Sequence, residues 1–260
     1  MGPEQNFSYI ARLQPAIAFI VDIRRENLDL HLMYKALFEV SADRADFVSR
    51  LFSRDRPAGL GPSTSVHDMF DAYAEGAPNP NLYRQNLEVI RERLVSHHRL
   101  ALTQQDIESI GQTFQAFYAD GPDIHYGRSQ SADAVRPSYR ALMTAVDTTG
   151  TPRSFLASEE AFSSVKDLHS RNTIVPVVGD FAGSHTIRQI GDYTRRHQDV
   201  VQAFYGSNVE VYLNRARVFA FCANLATLPS SSSAPFIDNK GLRPLRAKLR
   251  SCQAASAAPR

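Results

Sequence analysis

The sequence has no long hydrophobic run, almost no cysteine, and none of the short signatures of nucleotide hydrolysis or metal binding. No unbroken apolar stretch in its 260 residues exceeds six, the length of Ala16 to Val21, whereas a membrane-spanning helix needs about 20. A transmembrane helix is therefore not expected. The opening Met1-Gly2-Pro3-Glu4 lacks the basic segment and apolar core of a secretory signal. Two cysteines 30 positions apart, Cys222 and Cys252, are too few for a disulfide framework or a metal knuckle. They suit a reducing compartment, so a cytoplasmic location is expected.

The Walker A pattern is missing, which removes ordinary P-loop ATPase or GTPase chemistry. There is no Gly-x-Ser-x-Gly elbow. Asp180, Ser184 and His185 are close in sequence, but catalytic triads are assembled from distant segments, so this trio reads as a loop and a helix start. The eight histidines never fall at the three- or four-residue spacing that places two ligands on one helix face.

What is present is an ordinary globular composition, 43% apolar and 22% charged, long enough for one substantial core or two small ones. The net charge of +2 hides an asymmetry. Six of the 29 basic residues lie from Lys240 onward with no acid among them, which leaves 23 against all 27 acids in residues 1–239. A mildly acidic body with no basic stripe argues against specific nucleic-acid recognition. The basic, Ala- and Ser-rich ending reads as a solvated, disordered tail over 238–260.

Ala16 to Asp22 is an apolar run with Pro15 before it and an acid at its end, the pattern of a buried parallel strand. Leu30, Met33, Tyr34, Leu37 and Phe38 follow at helical spacing after Asn27. The same order recurs with Thr173 to Asp180 and a helix bearing Ile187, Ile190 and Thr194. Strands are further expected at Val200 to Tyr205, at Phe219 to Leu228, and at Ser154 to Ala157, the last feeding a helix that Ser158 caps. A short helical stretch is expected over Asn208 to Asn214. Alternating strands and helices predict an α/β fold with a mostly parallel sheet. Residues 54–150 break the rhythm with prolines and glycines and two helices, Leu82 to Ser96 and Thr103 to Tyr118. They read as a helical insertion between an N-terminal part, 1–53, and a C-terminal part, 151–237.

Open α/β sheets bind ligands at the carboxyl ends of their strands. Asp22 ends the first strand, where an acid can accept hydrogen bonds from ribose hydroxyls. Gly2-Pro3-Glu4-Gln5-Asn6 lies 16 to 20 residues before it, the distance from a glycine loop to such an acid. Ser158 and Glu159 end the short strand and Asp180 ends the next. Each has a plainer alternative. Asp22 can pair with Arg24 or Arg25, Ser158 and Glu159 can cap a helix, and Asp180 with Gly183 can shape a turn.

Several stretches together resemble an uncharacterised bacterial family with a class I S-adenosylmethionine-dependent methyltransferase-like fold. They are Gly2 to Ile10, Phe19 to Arg25, His31 to Phe38, Ser154 to Glu160, Ile174 to Gly183, Ala203 to Tyr205 and Ser207 to Glu210. The resemblance implies a Rossmann-like sheet with the insertion after the second family strand. It also implies an upstream strand leading into a Gly-x-Gly-Pro-Glu-Gln-Asn loop, so that this chain would start inside the loop.

By position it implies Gly2 on the methionine side of the cofactor, Asp22 on the ribose, Ser158 and Glu159 near the adenine, and Asp180 orienting a methyl acceptor of unknown identity. Methyl transfer to an oriented nucleophile is mostly positioning, so one carboxylate could suffice. The alternative is a catalytically silent protein that keeps the fold for a nucleotide-like ligand or a protein partner. The Asn-Pro-Pro-aromatic tetrapeptide of amino-methylating enzymes is missing.

Overall fold

A computed structural model describes residues 3–125 and 137–257. The chain forms two compact units. The larger holds residues 1–20 and 26–176, and the smaller holds 21–25 and 177–260.

In the larger unit, α1 (Pro3–Leu13) leads to strand β1 (Ala18–Asp22) and then to α2 (Arg25–Val40). Helix α2 buries a nearly continuous run, with Met33, Tyr34, Ala36 and Phe38 fully inaccessible. A helix apolar around most of its circumference must be enclosed by others. Ring contacts join α2 to α1, to α3 (Arg44–Phe52), to α6 (Gln104–Asp120) and to α8 (Glu159–Ser170), and the unit also holds α4 (Val66–Glu75), α5 (Pro80–Arg91), a π-helical turn (Glu92–His97) and α7 (Tyr139–Thr144). Most start at side-chain caps. Asp43, Ser65, Asn79 before Pro80, Ser138 and Ser158 each accept a bond from a first-turn amide, and Thr103 with Asp106 forms a capping box.

The core is aromatic. Phe7 meets Tyr34, Phe38, Phe155 and His169 edge-on, with centroids 5.2–5.5 Å apart. Residues 54–150, read as a helical insertion and not as an independent domain, contribute to this core. Met69, Phe70, Tyr73, Ile90, Phe114 and Phe117 belong to the same hydrophobic cluster as Phe7 and Phe38.

Two buried cations organise the polar interior. Lys35 Nζ donates to Glu39 Oε1 and to the His169 carbonyl, both at 2.6 Å. Glu39 also accepts from Arg93 Nε at 2.8 Å and pairs with His98 Nε2 at 2.7 Å. Burial pushes the Glu39 carboxyl up, but these partners outweigh it and hold it below the usual range. Arg44 donates to the carbonyls of Leu156, Ala157, Pro62 and Thr64, which fixes two loops around the start of α3.

The Rossmann-like, mostly parallel sheet is not formed. The described residues hold only two small sheets, of two and three strands, in a helix-rich chain. In the first, β1 pairs with β2 (Ile174–Val178). Ala18 N donates to Thr173 O and Gly179 N to Asp22 O, both at 2.8 Å, so these strands run in the same direction. Residues 154–157 form a turn, not a strand, with Phe155 and Leu156 fully buried.

In the smaller unit, α9 (Thr186–Arg196) follows β2, and the expected strand near 200–205 becomes β3 (Phe204–Ser207), followed by a 3-10 turn at Val209–Tyr212. The run from Phe219 falls largely inside helix α10 (Arg215–Leu225), capped by Asn214. A short, wholly apolar run has the same pattern in a buried helix and a buried strand. β4 (Pro235–Asp238) pairs parallel with β3 and antiparallel with β5 (Gly241–Pro244).

The expected disordered tail is a strand and a helix, α11 (Leu245–Ala257). Its basic residues are used. Arg243 pairs with Asp238 at 2.6 Å, and buried Lys248 pairs with Glu210 over the rings of Phe221 and Phe236. Cys222 and Cys252 are disulfide-bonded, joining α10 to α11 with Cα atoms 5.9 Å apart. The bond removes the argument from free thiols for a reducing compartment. Among the described residues, no helix is long and apolar enough to cross a membrane.

Two outcomes follow from these contacts. Neither ring nitrogen of His169 has a hydrogen-bond partner among the described residues, and burial, helped by Lys35, holds its pKa well below 6.5. The unfolded chain takes up a proton near its ordinary pKa that the folded chain refuses. His169 therefore costs no stability above about pH 6.5 and costs up to about 1.4 kcal/mol per pH unit below it. Urea unfolding from pH 7 to 5 should show this slope in the wild type and a flatter one in His169→Phe; equal slopes would refute the assignment. Second, the disulfide closes a loop of about 30 residues, for which chain entropy gives roughly 3–4 kcal/mol. Cys252→Ser should lose stability on that scale, and the denatured, unreduced wild type should show no free thiol in a colorimetric titration.

Candidate functional site at the carboxyl ends of two parallel strands

Strand β1 ends at Asp22, whose Oδ1 accepts from Arg24 N at 2.9 Å and Arg24 Nε at 3.1 Å, while Oδ2 accepts from Arg24 Nη2 at 3.0 Å. An aspartate that binds the amide two residues on turns the chain, here into α2. Burial pushes the carboxyl up, but Arg24 outweighs it and keeps it ionised below the usual range. Beside it, Gly179 ends β2. A Cβ at Gly179 would lie 2.2 Å from Thr186 Oγ1, so only glycine lets the strand end pass this close to the first residue of α9.

Asp180 then accepts from Ala182 N at 2.9 Å through Oδ1 and from Arg217 Nη2 through Oδ2. Its pKa also lies below the usual range, burial being outweighed by Arg217. The loop it opens is held from beneath by Asn224, which is buried. Its amide donates to the carbonyls of Phe181 at 2.8 Å and Gly183 at 2.7 Å, and its oxygen accepts from Arg188 Nε at 2.9 Å. Sequence reasoning missed Asn224, Arg188 and Arg217. All three act through helical geometry, and residues 219–228 read as a strand. The one available signal was a lone polar residue inside an apolar run.

Ile23 and Val178, next to Asp22 and Gly179, are 67% and 41% exposed. The edge therefore combines two ionised, partly open carboxylates, two arginines and two exposed aliphatic side chains. A carboxylate offers about four acceptor positions. Arg24 occupies three on Asp22, and Ala182 with Arg217 occupies two on Asp180. Positions for hydroxyl donors remain on both.

The other expected site residues make contacts of their own. Ser158 caps α8, accepting from Ala161 N at 3.1 Å. Glu159 accepts from Arg44 N at 3.2 Å and pairs with Arg44 Nε at 3.5 Å. Burial raises its pKa, with Arg44 working against the rise. Both residues belong to the larger unit. Gly2 lies outside the described residues, and from Pro3 the chain is helix α1 instead of a glycine loop. Of the residues the resemblance implies for S-adenosylmethionine, Asp22 and Asp180 belong to the smaller unit and share its strand edge, and Ser158 and Glu159 belong to the larger.

Among the described residues, no group of three or more His, Cys, Asp or Glu could hold a metal ion.

A comparison with curated proteins finds no match. One family matches almost the whole chain, over residues 1–59 and 62–240, and these spans contain both strand ends, Asp180, Arg217 and Asn224. The chain belongs to the family described as Domain of unknown function (DUF7790).

Proposed function

We propose that this protein binds a small, hydroxyl-bearing ligand of the nucleoside type at the carboxyl edge of β1 and β2. The observation that carries the reading is the pairing there of Asp22 and Asp180, ionised and partly exposed, with the exposed side chains of Ile23 and Val178. A nucleoside presents a ring hydroxyl pair for a carboxylate and a flat, largely apolar base for aliphatic side chains. The edge offers both in one place, at the ends of β1 and β2. Arg24 and Arg217 hold the carboxylates in position and keep them charged. Methyl transfer from S-adenosylmethionine rests on the resemblance alone, with Asp180 as the residue that would orient the acceptor.

Calorimetric titration of the full chain with adenosine, 2′-deoxyadenosine and S-adenosylmethionine tests the reading. Adenosine should bind the wild type, and Asp22→Asn should weaken it by about 1–3 kcal/mol, the worth of a hydrogen bond to a charged group. Loss of the 2′-hydroxyl should weaken binding on the same scale. S-adenosylmethionine held through Asp22 would keep the methyltransferase reading open. No binding of any of the three would overturn the proposal.

A further inference from the structure

In the larger unit, α5 runs without a break into the π-helical turn Glu92–His97, and with α6 they line a cavity of about 180 Å³ that opens to the surface. Its floor is apolar and buried, made by Ile90, Leu94 and Ile110. Leu87 and Ile107 form half-buried walls, and Val95 is 39% exposed among the lining residues. An apolar cavity of about 150 Å³ is known to take a benzene molecule, so this one has room for the side chain of leucine, methionine or phenylalanine.

Two features of the wall leave stability unclaimed. Gly111 lines the cavity in the middle of α6, and a Cβ placed there meets nothing within 4 Å. Glycine inside a helix costs roughly 1 kcal/mol relative to alanine, and no neighbour requires it. The π-helical turn is a rare geometry that recurs mostly at functional sites. A side chain at Gly111 would enter this space.

The lining also carries two charges. Glu88 and Arg91 are one turn apart on α5, where such a pair ordinarily joins. Both are exposed, and neither side chain makes an ion pair or hydrogen bond with another described residue. An apolar hole with a free carboxylate and a free guanidinium beside it is complementary to a molecule with an apolar body, an ammonium and a carboxylate. We infer that this cavity binds a free apolar α-amino acid, its side chain in the hole, its ammonium at Glu88 and its carboxylate at Arg91.

The test is titration of the full chain with leucine, methionine and phenylalanine, followed by amide chemical shifts of α5 and α6. N-acetyl-leucinamide, which has the side chain but neither charge, is the control. Leucine should bind at least about tenfold more tightly than the control, and Glu88→Gln and Arg91→Gln should each remove most of that difference while leaving the control unchanged. Gly111→Leu should fill the hole, weaken leucine binding by about tenfold or more, and leave the melting temperature the same or higher. If that variant fails to fold, Val95→Phe takes its place. Equal binding of leucine and the control, leucine binding unaffected by the filling variant, or no shifts at millimolar amino acid would each overturn the inference.

Discussion

The larger unit is organised by the need to enclose α2 while answering the charge that α2 carries inside. Lys35 sits within a run of buried apolar residues, and an ammonium there is tolerable only when its protons are met. Glu39, one turn on, and the carbonyl of His169 at the end of α8 meet them. Glu39 in turn draws in Arg93 and His98, from the π-helical turn and just past it. A single buried cation thereby ties three separated stretches of chain together. Removing one member of such a buried set typically costs about 3–5 kcal/mol, because the remainder is left unanswered. Around this polar knot the aromatic side chains of α1, α2, α3 and α8 close, and Phe7 reaches most of them.

The smaller unit solves a different problem, that of fixing exposed loops with few residues. Asn224 satisfies two loop carbonyls and one guanidinium from a single buried amide, and Asp22 and Asp180 each bind a backbone amide as well as an arginine. Carboxylates used this way are pre-oriented, which lowers the ordering cost of any later contact they make.

Much of the local structure was legible in the sequence. β1 is where Pro15 and the apolar run place it, and α6 begins at the Thr103 cap. The helix after Ser158 and its inward residues Phe162, Val165 and Leu168 are also as read. The fold class was not legible, for two physical reasons. Residues 219–223 are apolar on every side, so their periodicity cannot separate helix from strand, and the run 154–157 is buried without being extended. Helix α3 went unread as well, although Asp43 caps it. At the site, the plainer alternatives describe the contacts found: Asp22 pairs with Arg24, Ser158 caps, and Asp180 shapes a turn with Gly183. That Asp22 and Asp180 share an edge was implied by two strands ending in acids. That Ser158 and Glu159 lie in the other unit was not, because an assumed single sheet placed all strand ends together.

The smaller unit is not one continuous length of chain. Residues 21–25 reach it from the N-terminal half, more than 150 positions before its main body begins at 177. Its first strand end, with Asp22 and the carbonyl that receives the Gly179 amide, is thus supplied by sequence that otherwise belongs to the larger unit. On the ribosome, the C-terminal segment finishes a structure whose edge was synthesised long before, so that edge must wait unpaired while the intervening helices emerge. A proteolytic fragment beginning near 177 would lack it altogether. The two units are consequently a single inheritance. Duplication or exchange of the C-terminal segment alone would carry away Asp180, Arg217 and Asn224 but leave Asp22 behind.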